Sequence, residues 1–505
     1  MNEGIKEAYS ALVQRLQENN RLGGIMGILH WDQEVMMPSG AAESRAQQLG
    51  TLAGVLHEKT THPEMGKLLE QLPEKNEGEF NDFEWCNISE ARRDFDMATR
   101  TPKELVTELA ELSSRAHQIW VKARSENKFS DFAPALKRLV DLKIKWAGYV
   151  FPDMQAYDAN IDVYERGTSQ TEITPVFDKL KAELIPLIKS IQDSGYKPDT
   201  AILEGHFPIE EQEALGRKIS EEMGFIFDKG RMDVSVHPFC GGSHPTDVRI
   251  TTRYREDNFV ESLYAVIHET GHGLYEQGRM QDGRDLPVSE ALTMAVHESQ
   301  SLFWERMVAQ GKPFCARYLP LLANTFPNNF TNISTEKFYE AVNVSQPSLI
   351  RVEADEVTYP MHVILRYELE KGLFDESIKV EDLPELWNAK MVEYLGVMPP
   401  TDTLGVLQDT HWSGGAFGYF PSYTLGAIYA SQFYQALKQE IPDIEKQVEE
   451  GNLALIRGWL GAKIHQQGRL LSVPALVRQV TGENLNPDCF IKYLKNKYSQ
   501  IYRLN

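Results

Sequence analysis

The chain has 505 residues, 42% of them hydrophobic, and its 73 acidic against 52 basic side chains give a net charge of −21 and a pI near 5.2. So acidic a surface repels phosphate backbones and anionic lipid, which excludes work on nucleic acid or at a membrane surface from the expected functions. Four cysteines (Cys86, Cys240, Cys315 and Cys489) lie far apart with no C-x-x-C pair, as suits a reducing compartment. Met1 to Ala8 hold no basic stretch leading into an apolar run, and no window reaches the roughly 18 apolar residues of a membrane span, so a cytoplasmic protein is expected.

Residues 3 to about 150 place apolar side chains at steps of three and four, as in Ile5, Ala8, Tyr9, Leu12 and Leu16. The same spacing over 102–122 and 129–148 predicts helix after helix joined by short loops. Trp31-Asp32-Gln33-Glu34 ahead of Pro38 reads as an interruption, and Tyr157 to Glu165 as another. A helix capped by Thr174, with Pro175 in its first turn, is expected to run to Ile191 with a kink at Pro186; helices near 199–205 and 208–223 follow. The period then changes to alternation over 232–239 and 247–254, the best strand candidates, with 240–246 connecting them.

Helices are expected again at 288–310, 336–344, 352–370 with a bend at Pro360, and 383–395. A glycine-rich aromatic loop, Gly405 to Tyr423, precedes helices 424–440 and 443–460. That loop has neither the spacing nor the lysine of a nucleotide loop, but its hydroxyls and small residues suit a pocket wall. The expected organisation is one catalytic unit over 1–505, with a predominantly helical N-terminal part (1–225) and a catalytic part (226–505).

The chemistry lies in His268-Glu269-Thr270-Gly271-His272, an H-E-x-x-H match on a helical pattern set by Val260, Tyr264, Ile267, Gly271 and Leu274. With 13 histidines in the chain, chance gives about 0.03 such matches. Two histidines four apart share one helix face and can converge on one ion, and Glu269 can face the open position as a base. The plain alternative is a satisfied histidine pair beside a glutamate. Glycines at 271 and 273 weigh against it, since their cost to the helix is reasonable where backbone or substrate must come close.

Three acids could complete the site. Glu290 sits at an expected helix start, where the helix dipole already explains it, and Glu305 precedes Arg306 at what reads as a surface turning toward solvent. Glu298, in His297-Glu298-Ser299-Gln300-Ser301, is carried between two apolar runs, and a buried carboxylate needs a cation or many donors. His268, His272 and Glu298 are therefore the expected ligands of a zinc ion with water in the fourth position; a glutamate held by an arginine is the alternative. The two strands could present an edge to an extended peptide or merely cover the helix. His237 and His411 are weaker candidates for substrate contact, a structural hydrogen bond being as good an account of each.

With His237-Pro238-Phe239, Asp247-Val248-Arg249-Ile250-Thr251, the H-E-x-x-H stretch, His297-Glu298-Ser299-Gln300, Arg351 to Tyr359 and Gly405 to Trp412 in this order, the chain resembles the thermostable (Taq-type) metallocarboxypeptidase family over nearly its full length. No motif position departs from the family's pattern. The resemblance implies a mainly α, zincin-like metallopeptidase with a deep groove, a small sheet beside the metal helix and a homodimeric assembly. It implies dependence on zinc or cobalt and release of single C-terminal residues from peptides, with broad tolerance and poor action on proline. It places ligands on His268, His272 and Glu298 and the base on Glu269.

A helical oligopeptidase cutting internal or dipeptide bonds would use the same ligands, and a non-enzymatic scaffold is the remaining alternative. A carboxypeptidase also needs a cation for the terminal carboxylate, best an arginine. Arg351 is favoured because it opposes the dipole of an expected helix start, unless Glu353, Asp355 or Glu356 pairs with it. Arg249 supports it, although Asp247 explains Arg249 as well. Tyr423 is the expected oxyanion donor, with a packed aromatic as its plain alternative.

Overall fold

The helical spacing of the first third of the chain becomes a run of helices in the computed structural model, which describes residues 3–504. They are α1 (Glu3–Val35), α2 (Ala42–Thr60), α3 (Pro63–Gln71), α4 (Asp82–Arg100), α5 (Lys103–Glu126) and α6 (Phe129–Val150). Trp31 to Glu34 do not interrupt α1, contrary to expectation. The Asp32 carbonyl accepts from the N–H groups of Met36 and Met37 at 2.9 and 2.7 Å, so the helix closes past Trp31 and stops only ahead of Pro38.

The second expected interruption is mostly α7 (Ala156–Asp162). α8 (Gln170–Asp193) starts before Thr174 because Ser169 and Glu172 form a capping box, and it continues through Pro186. Residues 199–205 yield only a 3-10 turn at Ala201–Leu203 before α9 (Ile209–Met223).

Three strands follow, β1 (Gly230–Val234), β2 (Cys240–His244) and β3 (Asp247–Thr252), in the order β1-β3-β2. The stretch expected to be a connection is therefore itself a strand. β1 runs parallel to β3 and β2 antiparallel to it. The alternation after Val234 forms a turn, fixed where Ser235 Oγ donates to the His237 carbonyl and the Phe239 N–H donates to Thr251 Oγ1. Gly241 and Gly242 have no strand propensity; pairing with β3 makes them one.

α10 (Phe259–Gly278) crosses this sheet, and α11 (Met294–Leu302) follows, capped by Thr293 and continued by a π-helix at Phe303–Ala309. The helix expected from 288 thus starts later, and Glu290 lies beyond a 3-10 turn, paired with Arg469 at 2.8 Å. Then come α12 (Lys312–Thr325), α13 (Pro327–Phe330), α14 (Thr335–Val342), α15 (Tyr359–Phe374), α16 (Leu383–Leu395) and α17 (Pro421–Glu440). α18 (Ile444–Glu449), α19 (Ala454–Lys463), α20 (Val473–Thr481) and α21 (Pro487–Tyr502) complete the chain, two helices replacing the one expected over 443–460. Pro360 sits in the first turn of α15, where its missing N–H costs nothing, and does not bend it.

One large core joins α5 to α21 around α10, α11, α15 and α17, and a smaller one joins α1, α3 and α4 to Leu286 and Val288. Among the described residues no helix is long and apolar enough to cross a membrane.

Candidate metal centre and active site

α11 lies between α10 and α17, so close that both neighbours need a glycine at the contact. A Cβ at Gly271 would come 2.7 Å from the Gln300 carbonyl oxygen, and one at Gly426 would come 2.8 Å from Cγ of Glu298. These glycines seat Glu298 against the histidine face of α10. Its Oε2 is 3.7 Å from His268 Nε2 and 3.4 Å from His272 Nε2, and the three ligand-type atoms lie within 4.8 Å of one another.

Each imidazole is also held from behind. His268 Nδ1 is 2.7 Å from Glu305 Oε2 on the π-helix. His272 Nδ1 is 2.6 Å from His297 Nδ1, whose Nε2 lies 2.9 Å from Glu276 Oε1, and Arg279 pairs with Glu276 at 2.7 Å. With Nε2 kept for an ion, Nδ1–H of His268 donates to a carboxylate and that of His272 to His297, which fixes both rings.

The expectation that Glu305 turns toward solvent is corrected: its side chain is only 18% exposed. Seven residues after Glu298 it returns to the same side, and the π-helical turn carries it over His268. Replacing Glu305 by alanine should weaken metal binding by about 10–100-fold, read by competition with a chelating dye. Unchanged affinity would mean that His268 is oriented by packing alone.

Burial disfavours charge on His268, but the Glu298 and Glu305 carboxylates outweigh it and raise the pKa to about 9. Burial lowers His272 to about 4, His297 and His268 adding to the effect. Burial pushes Glu298 up as well, yet the two histidines bring it down to about 2. The carboxylates thus favour one positive charge on His268, while His272 stays neutral. Two imidazole nitrogens and a carboxylate oxygen converging there are the donor set of a catalytic divalent-metal site, so these residues fit such an ion.

Glu269 is buried, its Oε2 has no hydrogen-bond partner among the described residues, and burial raises its pKa to about 7. A carboxylate with one oxygen free beside an ion is suited to general-base work.

A second group of side chains forms the wall beside this centre. Arg351 opens a 3-10 turn, not a helix, and its guanidinium pairs with none of the acids following it. Nε and Nη2 donate to Asp409 Oδ1 at 3.1 and 2.8 Å, and Nη1 donates to the Tyr359 hydroxyl at 2.7 Å. Arg366 Nε donates to the other Asp409 oxygen at 2.6 Å. Two guanidinium groups on one carboxylate leave net positive charge in a buried wall.

Pro421 starts α17, so Tyr423 stands in that helix's first turn rather than in a loop. Its ring is 4.9 Å from the Arg351 guanidinium carbon and 5.9 Å from the Tyr359 ring. Burial, then Tyr359 and Tyr419, hold its phenol well above the ordinary value; Glu298 adds to the rise, so the phenol lies within reach of that carboxylate's charge. His411 stacks on Phe420 at 4.6 Å with Nδ1 3.9 Å from Asp409 Oδ1, and burial lowers it to about 4.

Two further sequence candidates lie on the sheet and the turn beside it. His237 is exposed on the turn after β1. Arg249 donates to Asp247 at 2.8 and 3.1 Å and lies 4.4 Å from the Trp31 ring of α1. Sequence reasoning missed Glu305, Asp409 and Arg366. The seven-residue step from Glu298 was a usable signal for Glu305; nothing local links Asp409 to Arg366, 43 residues away.

A buried H-E-x-x-H helix, a glutamate from the next helix and a mostly helical body define a helical metallopeptidase. Residues 11–498 match the family described as Carboxypeptidase Taq (M32) metallopeptidase, a metallocarboxypeptidase family, and the chain belongs to it. It is 38% identical to "Thermostable carboxypeptidase 1" of Thermus thermophilus over 98% of this chain and 99% of the relative. It is also 38% identical to "Carboxypeptidase 1" of Bacillus subtilis, over 95% of each. The crystal structure of M32 carboxypeptidase from Deinococcus radiodurans R1 is similar with a TM-score of 0.95 at 35% identity, covering 98% of this chain and 100% of that one.

Proposed function

We propose that the chain is a zinc-dependent carboxypeptidase, with cobalt as an alternative ion, that releases single C-terminal residues from peptides with broad tolerance and poor action on proline. The observation that carries the residue roles is the convergence of His268, His272 and Glu298 beside a buried Glu269 and a wall holding two arginines on one aspartate. The whole of 1–505 acts as one catalytic unit, a cytoplasmic homodimer; sedimentation of the purified protein checks the dimer.

A bound ion would be held by His268, His272 and Glu298 and would supply Lewis acidity, easing proton loss from water and polarising a carbonyl. Glu269 takes the proton from the attacking water on its free oxygen and returns it to the departing amine. Tyr423, its phenol kept protonated by burial, donates to the oxygen on which negative charge develops. The terminal carboxylate pairs with Arg351 on its Nη1 edge, and His411 lines the same wall. Arg249, whose guanidinium Asp247 and the Trp31 ring engage, is the supporting cation, and His237 is a weaker candidate for substrate contact.

The experiment is a time course on one peptide in free-acid and C-terminally amidated forms. Stepwise loss of single residues from the free acid, with the amide resistant, is expected. Equal cleavage of both, or internal cuts, would make it an oligopeptidase.

A further inference from the structure

α15 turns one face toward the segment from Gln408 to Phe420. Tyr359, Arg366 and Glu370 follow one another on it at steps of seven and four, which stay on one side of a helix. Arg366 donates to Gln408 Oε1 at 2.8 Å as well as to Asp409. Glu370, one turn further on, accepts from two later points of the segment. Its Oε1 takes the Trp412 indole N–H at 2.7 Å and its Oε2 the Gly418 N–H at 2.8 Å. The same Oε2 accepts from the Tyr157 hydroxyl of α7, also at 2.8 Å.

No part of Glu370 is exposed, and burial raises its pKa to about 7. Among the described residues no cation pairs with it, since the Arg366 guanidinium is given to Asp409, Gln408 and the His362 carbonyl. An acid in such a place is costly unless its oxygens are well supplied with donors. The groups around it explain why it is not a glutamine. An indole N–H and a backbone N–H can only donate, and here they face different oxygens. A carboxylate accepts on both, whereas an amide would set its NH2 against one of them.

What Glu370 holds is the stretch between Asp409 and Tyr423. Gly418 lies at φ +79°, and a Cβ there would come 2.6 Å from the backbone of Asn160 and Ile161, so the chain is pressed onto α7 at this point. Three residues before Trp412, Asp409 takes Nε and Nη2 of Arg351. One residue after Gly418, Tyr419 puts its ring 5.4 Å from that of Tyr423. Glu370 itself hydrogen-bonds to none of the three metal ligands, nor to Glu269 or Arg351, among the described residues.

We propose that Glu370 is a positioning residue for the reading of the terminal carboxylate: by holding Trp412 and Gly418 it fixes the segment from which Asp409 aims Arg351. It acts through that segment and touches no substrate. The inference rests on the carboxypeptidase reading above, because the group that Arg351 is aimed at is the substrate's terminal carboxylate.

The test uses the metal-loaded enzyme and a free-acid N-acyl dipeptide. Glu370→Gln should raise KM by about five- to tenfold, with kcat within about threefold and metal content equal to the parent's. In an Arg351→Ala background the same substitution should change kcat/KM by less than about twofold, because the group it acts through is gone. Adding Trp412→Phe to Glu370→Gln removes the donor that the amide NH2 would oppose, and KM should return to within about twofold of that of Trp412→Phe alone. An unchanged KM in folded, metal-replete Glu370→Gln overturns the proposal. So does an effect that persists in full in the Arg351→Ala background, which is what a general loosening of the fold would give. Should Glu370→Gln not fold, Trp412→Phe alone, which leaves the carboxylate and two of its donors, decides on the same two comparisons. An unaltered enzyme that does not cleave the dipeptide would overturn the carboxypeptidase reading, and this inference with it; cleavage with effects that add would leave that reading standing and remove only this one.

Discussion

Glu269→Gln should leave the metal bound and lower kcat/KM by about 10²–10⁴-fold, the range that loss of one positioned general base produces. Glutamine keeps the shape of the side chain and occupies the same buried site next to His268, but it accepts no proton. The ligand set is untouched, so metal content measured on the same preparation should match the parent enzyme. The pH profile adds a check. Burial raises Glu269 to about 7, His268 lowers it, and the charge of a bound ion lowers it further, so kcat/KM should fall on the acid side with a midpoint at or below about 7. The base works ionised: activity is full above that pKa and lost as pH falls through it. Full activity in a metal-replete Glu269→Gln enzyme would remove Glu269 from the reaction.

Arg351→Ala should cost about 2–5 kcal/mol on free-acid peptides, the loss expected when a desolvated carboxylate is left without its partner. Asp409 keeps Arg366, so the wall does not acquire an unpaired buried acid and the fold should survive. The amide lacks the charge and should change far less, which closes the gap between the two substrates. Arg351→Lys should recover only part of the loss, because an ammonium cannot hold Asp409, Tyr359 and a substrate carboxylate in fixed directions at once. A drop of less than about tenfold on the free acid, or a preference for free acid that survives intact, would move carboxylate recognition to another cation; Arg249 is one candidate and Arg306 another, buried near Glu298 with one guanidinium nitrogen unpartnered among the described residues.

The sequence by itself determined the parts whose physics is local. A four-residue step put His268 and His272 on one helix face. A polar cluster between two apolar runs marked Glu298, which the structure brings to within 3.7 Å of both histidines. Period and turn residues located α5, α6, α9, α16 and β3 to within a few residues.

Errors gathered where a boundary depended on a neighbour. Ser169 with Glu172 capped α8 ahead of the stronger-looking Thr174 and Pro175, and two glycines became β2 only because β3 lies beside them. Only the tertiary structure decided which charges meet. Glu305 turned inward on a π-helix to hold His268, Asp409 took Arg351 from 58 residues away, and Arg249 packed on the ring of Trp31 in α1. Periodicity fixes which face of an element is apolar, but an ion pair or a ring contact between distant segments leaves no trace in the spacing of either one. Its partner is chosen by how the helices pack, and that packing was set here by Gly271 and Gly426 against α11 and by Gly24 and Gly27 against β2.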